Sequence, residues 1–167
     1  MTSGKIQYAE THGAFILKFI GDVRLTLSSA LDKKLESIIQ QPDITSVVID
    51  LTETQGIDST SLGLLARLSI QSSARLGFVP TIHSTNEDIN RILITMGFDQ
   101  VFIIVHEVGD SRKPVILHDL PCSEENSDQE IMGKVITAHK TLMDMNERNR
   151  QEFQDLVQQL ERDKTTG

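Results

Sequence analysis

The sequence is poor in most of the residue types that covalent chemistry, metal binding and adhesion to phosphates require. It holds one cysteine, Cys122, which excludes an internal disulfide and a cysteine zinc cage. The histidines His12, His83, His106, His118 and His139 stand apart, with no two at the spacing of helical metal ligands. Tryptophan is absent and aromatics make up 4% of the chain, too few for a platform that stacks single-stranded bases. Basic residues number 16 against 24 acidic ones, for a formal net charge of −8. That sign disfavours nucleic acid and anionic membrane surfaces alike, because both recruit clustered Lys and Arg. The longest apolar runs, such as Val101 to Val105, fall far short of the ~20 residues that span a bilayer. The first ten residues have no apolar core of a secretory signal, so the expected location is the cytoplasm.

What is present is a chain of 167 residues, the size of one domain or of one domain with an appendage. Its hydrophobic content of 38% is lean for a single globule, which points to a core-rich part and a dilute part. Residues 1–120 alternate apolar runs with helical patterns, whereas Pro121 to Asp128 is polar and reads as a linker. The expected division is therefore 1–120 for the domain and 121–167 for a linker and helix.

Lys5 to Ala9 alternates as a half-buried strand does, and Ala14 to Ile20 is a more apolar strand closed by Gly21-Asp22. His12-Gly13 between them suits a tight hairpin turn. A helix capped by Thr26 or Ser28 carries Leu27, Leu31, Leu35, Ile38 and Ile39 on one stripe and stops at Pro42. Ser46 to Leu51 reads as a central strand. Asp58 or Ser59 opens a second helix that Gly77 closes, and Phe78 to Ile82 is a short strand. Thr85 or Asn86 caps a third helix ending at Gly97, Val101 to Val105 is another strand, and Lys113 to His118 a further edge strand or tail. Strands and helices in this order predict an α/β fold with a mixed sheet.

The most informative stretch runs from Val47 to Leu65: a buried strand, a short acidic loop, then the hydroxyl cluster Asp58-Ser59-Thr60-Ser61 opening a helix. A helix N-terminus presents unpaired N–H donors and about half a positive charge, so a phosphate on a serine there would be well received. The same phosphate would add about −2 charge beside Asp58, which a docked partner would feel as repulsion. Asp, Ser and Thr are also ordinary helix caps, and the residues alone favour that plainer reading.

The run Asp58-Ser59-Thr60-Ser61-Leu62-Gly63 resembles the signature of the STAS domain of bacterial anti-sigma factor antagonists. The resemblance covers about residues 5–105, including the order of elements and the Gly21-Asp22 turn. It implies a mixed sheet with helices packed largely on one face; from the residues themselves, neither enzymatic activity nor a cofactor is expected. It also implies a phospho-acceptor serine after the motif aspartate, here Ser59. Ser61 stands where the family often has glycine, so Thr60 and Ser61 are second choices; Arg24 stands where it often has an acid, which bears on the partner recognised. By resemblance the partners are an anti-sigma factor or equivalent regulator, a serine kinase and a PP2C-type phosphatase. Unphosphorylated protein would hold the regulator and free a sigma factor; phosphorylation would release it. The similarity is greatest to members with a C-terminal extension that act in biofilm and motility regulation.

On a helical wheel of residues 59–76, Leu62, Leu65, Ala66, Ser69, Ile70, Ser73 and Leu76 share the expected core face. Ser61, Leu64, Leu68 and Arg75 fall on the other side, and with Asp22, Arg24 and Asp58 they are the candidate partner contacts. The expectation is that Leu64 and Leu68 are exposed and can be cut to alanine without loss of stability.

In the extension, Ser127 and Glu130 match a capping box. Ile131, Val135, Ala138, Leu142, Met145, Asn149, Phe153, Leu156 and Leu160 then form one stripe, predicting a single helix of ~35 residues and ~50 Å. Such a stripe needs a second surface: its own domain, another copy through residues 127–163, or a partner helix. Asn149 would set register or mark a break. The alternative to a switch is a constitutive scaffold or oligomerisation module acting through this helix. No catalytic constellation is visible: no phosphate loop, no Gly-x-Ser-x-Gly elbow, and Cys122 has no histidine pattern beside it. No catalytic or metal residue is assigned.

Overall fold

The computed structural model describes residues 4–107, 115–121 and 127–166. Lys113 and Pro114 of the expected edge strand and residues 122–126 of the expected linker lie outside the described residues. Strands β1 (Lys5–Thr11) and β2 (Ala14–Val23) form an antiparallel hairpin. Its two turn residues, His12 at φ 49° and Gly13 at φ 84°, are both left-handed, as a two-residue turn matched to strand twist requires. Along β2, Phe15, Leu17 and Phe19 are buried while Ile16, Lys18 and Ile20 are half-exposed, so the period of two sets which face enters the core.

The chain continues through α1 (Ser28–Ile39), β3 (Ser46–Ile57), α2 (Ser59–Leu76), β4 (Thr81–His83), α3 (Glu87–Thr95), β5 (Ile103–Val105) and β6 (His118–Asp119). It ends in α4 (Asp128–Met145) and α5 (Glu147–Thr166). The six strands form one mixed sheet in the order β5-β4-β3-β2-β1-β6. The run β2 to β5 is parallel and β1 and β6 are antiparallel to their neighbours, the α/β class expected. Helix α1 crosses the hairpin, with Lys34 Nζ 3.8 Å from the centre of the Tyr8 ring, which stacks on Phe15. Leu31 and Ile38 of α1, Leu62 and Leu65 of α2, and Leu17, Ile49 and Leu51 of the sheet are fully buried together.

Several local details depart from expectation for physical reasons. Gly21 does not end β2; it sits inside the strand at φ 80°, next to a register shift that bends the ladder against β3. Strand β3 runs on to Ile57 because β2 continues to pair with it as far as Val23. Neither Thr26 nor Ser28 caps the first helix: a single 3₁₀ turn at 25–27 precedes it, and its first amide, Leu25 N–H, donates to the distant Asp58 carboxylate at 2.5 Å. Asp58 and Asn86 do cap α2 and α3, and Gly77 closes α2 at φ 77°.

The C-terminal segment is two helices rather than one. Asn146 adopts an extended backbone between them, and its side-chain oxygen accepts from Asn149 N–H at 2.8 Å, capping α5. The amide groups of Asn146 and Asn149 both donate to the carbonyl of Met96, at 3.2 and 2.8 Å. Met96 follows the last turn of α3, where a helix leaves carbonyls without intrahelical donors, so the turn of the hairpin satisfies it. The two helices run antiparallel, with Lys140 on Glu161 and His139 edge-on to Phe153. The reversal also shifts the apolar phase: Val157 is buried at 4% exposure whereas Leu156, counted in the single-helix stripe, is 43% exposed. Asn149→Leu is expected to lower stability by ~0.5–1.5 kcal/mol, because one of the two hydrogen bonds to the Met96 carbonyl is lost while Asn146 still donates to it. Urea unfolding followed by circular dichroism measures it.

Candidate functional site

Strand β3 delivers the chain to Asp58, which ties three segments together. Its backbone N–H donates to Val23 O at 3.0 Å, one carboxylate oxygen accepts from Ser61 N–H at 2.8 Å, and the other takes Leu25 N–H. Asp22 and Arg24 lie on the adjoining strand end, with Arg24 Nε donating to Asp22 at 2.7 Å. That hydrogen bond, with the nearby carboxylate charges, raises the Arg24 pKa further above its ordinary value. A side chain on Gly56 would come within 2.7 Å of the second Asp22 oxygen, which is buried without a hydrogen-bond partner. Asp22, Arg24 and Asp58 therefore gather at one end of the sheet, beside the first turn of α2.

Ser59 is the first residue of α2 and is half-buried. Its Oγ lies 2.8 Å from Nε2 of His139 on α4. His139 Nδ1 is 2.7 Å from the carbonyl of Val135, which can only accept. His139 Nδ1 therefore donates to that carbonyl, and Nε2 shares a hydrogen bond with Ser59 Oγ. The other two hydroxyls of the cluster are less accessible: Thr60 is 5% and Ser61 1% exposed, and Ser61 Oγ has no hydrogen-bond partner.

The remaining candidates divide. Arg75 is exposed on the last turn of α2, away from Ser59. Leu64 and Leu68 are not the exposed pair the helical wheel suggested; both belong to the hydrophobic core. Helix α2 is flanked by α1 as well as by the sheet, and α4 packs on a third side, so a wheel divided into one inner and one outer face misplaces them. The same error put Ile70 and Ser73 inward, and both are exposed.

Helix α4 makes its closest approach to α2 at Gly63, where a Cβ would overlap the backbone carbonyl of Ala138. At the rim, Lys134 of α4 pairs with Asp32 of α1 at 2.9 Å, and Arg67 of α2 approaches the same carboxylate at 3.6 Å. Sequence reading passed over His139, Lys134 and Asp32. The signal for His139 was its place one turn after Val135 and one residue after Ala138, on the apolar side of α4. Among the described residues, no group of His, Cys, Asp and Glu is arranged to hold a metal ion, and no helix is long and apolar enough to cross a membrane.

Residues 5–111, which include the Asp58 cap and the hydroxyl-bearing start of α2, match the STAS domain family model. The chain belongs to the STAS domain family. Solved structures share the fold at low identity. An anti-sigma factor antagonist from Mycobacterium paratuberculosis aligns with a TM-score of 0.55 and 17% identity, over 64% of this chain and 88% of its own. A putative anti-sigma factor antagonist from Thermotoga maritima gives 0.53 and 20%, over 59% and 84%. The Bacillus cell fate determinant SpoIIAA in its phosphorylated form gives 0.51 and 13%, over 60% and 90%. The STAS match ends before α4 begins, so the helical hairpin on α2 is an addition to the family domain.

Proposed function

We propose that this STAS domain acts as an anti-sigma factor antagonist switched by phosphorylation of Ser59. In its unphosphorylated form it binds an anti-sigma factor or equivalent regulator; a serine kinase modifies Ser59 and the regulator leaves; a PP2C-type phosphatase restores binding. The observation that carries this reading is the position of Ser59, directly after the Asp58 cap at the N-terminus of α2 and more accessible than Thr60 and Ser61. Related folds solved as anti-sigma factor antagonists, one of them in a phosphorylated form, support it.

The electrostatic effect follows from the surroundings. A phosphate on Ser59 places about −2 charge next to Asp58 and near Asp22, with Arg24 already engaged by Asp22. A regulator seated at this corner would meet repulsion where it met a neutral hydroxyl. Asp22, Arg24 and Asp58 form the rim it would touch. Residues 1–120 serve as the switching unit with 121–167 as its appendage, and the extension fits biofilm and motility control as the output.

Ser59→Asp is expected to weaken regulator binding at least tenfold in a pull-down, while Ser59→Ala retains binding and resists modification. With cognate kinase and ATP, intact mass should rise by about 80 Da in the parent and not in Ser59→Ala, the mass of one phosphoryl group. An unchanged pull-down with Ser59→Asp would favour a scaffold acting through the C-terminal helices.

A further inference from the structure

The helical hairpin packs on α2 from Ser59 to Gly63, directly beside the residue proposed as the switch. We infer that α4–α5 is a detachable cover, occupying in cis a helix-docking seat at Ser59, Gly63 and Arg67, and that it must leave before the regulator binds or Ser59 is modified. This rests on the reading of Ser59 as the switch residue and adds a layer of regulation to it.

Four observations carry the inference. First, the hydroxyl that would be modified is engaged: Ser59 Oγ lies 2.8 Å from Nε2 of His139, a residue only 2% exposed. A phosphate on Oγ would have to displace that 2.8 Å contact with a buried imidazole. Second, the seat is shaped for a helix. Gly63 lets the backbone of α4 approach α2 at Ala138, and any larger residue would block it. Third, the fit is imperfect. A cleft of about 530 Å³ remains between α1, α2 and the hairpin, lined by Asp32, Leu64, Arg67, Gly133, Lys134 and Thr137. Ser29, which also lines it, has a buried hydroxyl without a hydrogen-bond partner. Fourth, the family domain ends before the hairpin, so the seat belongs to the domain and the occupant is an addition.

A cover open about 1% of the time weakens an incoming helix about 100-fold, since apparent affinity scales with the open fraction. The tethered hairpin also acts at an effective concentration in the millimolar range, far above that of a free competitor.

The test uses the full chain and needs neither kinase nor regulator. Ala138→Arg places a long side chain against Gly63 and prevents closure; Lys134→Glu reverses the rim charge facing Asp32 and loosens it more mildly. In Ala138→Arg, amides of residues 131–160 should exchange with deuterium at least tenfold faster, while those of β2 and β3 keep parental protection. Lys134→Glu should fall between. A fluorescein-labelled synthetic peptide of residues 127–166 should bind Ala138→Arg saturably and at least tenfold more tightly than it binds the parent. The inference is overturned if β2 and β3 lose protection together with the hairpin, because the hairpin is then obligatory core. It is equally overturned if Ala138→Arg gains no affinity for the peptide, or if the parent binds it as tightly. If the peptide docks but Ser59→Asp still holds its regulator, the cover stands and the phosphorylation switch falls.

Discussion

Leu68→Ala and Leu64→Ala will each lose ~2–5 kcal/mol of stability, read as a lower midpoint in urea unfolding at unchanged slope. Both side chains are essentially inaccessible, at 0% and 2% exposure, and both belong to the cluster that joins sheet, α1 and α2. Truncation to alanine removes three carbons from a site whose neighbours are held by strands and helices on several sides. The void relaxes only in part, and its remaining volume adds to the transfer cost. Leu68 should lie at the upper end, because Leu64 borders the cleft and its surroundings can shift into the space. A change below about 0.5 kcal/mol, the range of ordinary surface substitutions, would contradict the packing described here.

Gly63→Val should separate the hairpin from the domain. The valine Cβ would overlap the Ala138 carbonyl, a backbone atom that cannot swing aside as a flexible side chain would. The helix must therefore retreat along its whole contact with α2. Leu142 is fully buried in the hairpin's contact with the core, and exposing it alone costs ~1.5–3 kcal/mol. The bond between Ser59 and His139 and the ion pair between Lys134 and Asp32 go with it. Hydrogen exchange should show protection lost over α4 and α5 and kept in β2 and β3. Gly63→Ala should do the same to a lesser degree, because its single methyl group demands a smaller displacement.

Where sequence reading succeeded, the cause was local. Strand alternation and His12-Gly13 predict the β1–β2 hairpin because pleat and turn geometry depend on a few adjacent residues. Asp58 announces the start of α2 because a cap acts over three residues, and Gly77 announces its end for the same reason. The failures involve partners distant in the chain. Nothing near Leu25 reveals that Asp58 will receive its amide. Nothing near Asn146 reveals that the Met96 carbonyl will hold the turn and divide one amphipathic stripe into two helices. The helical wheel of α2 fails likewise, since it presumes one buried side and α2 has three packed neighbours. The candidate site was legible as far as its cap and hydroxyls; its cover was not, because His139 meets Ser59 only after the chain has returned from 80 residues away.

That separation has a consequence during biosynthesis. The STAS portion of the chain leaves the ribosome first, and Ser59 precedes its hydrogen-bond partner by 80 residues. At about 5–20 residues per second, ~4–16 s pass before His139 is even polymerised. The STAS domain itself runs to residue 111, so the complete domain stands without its hairpin for the last 28 of those residues, ~1.4–5.6 s. A nascent chain is thus open by order of manufacture, and a kinase or regulator near the ribosome meets it before its own C-terminus can.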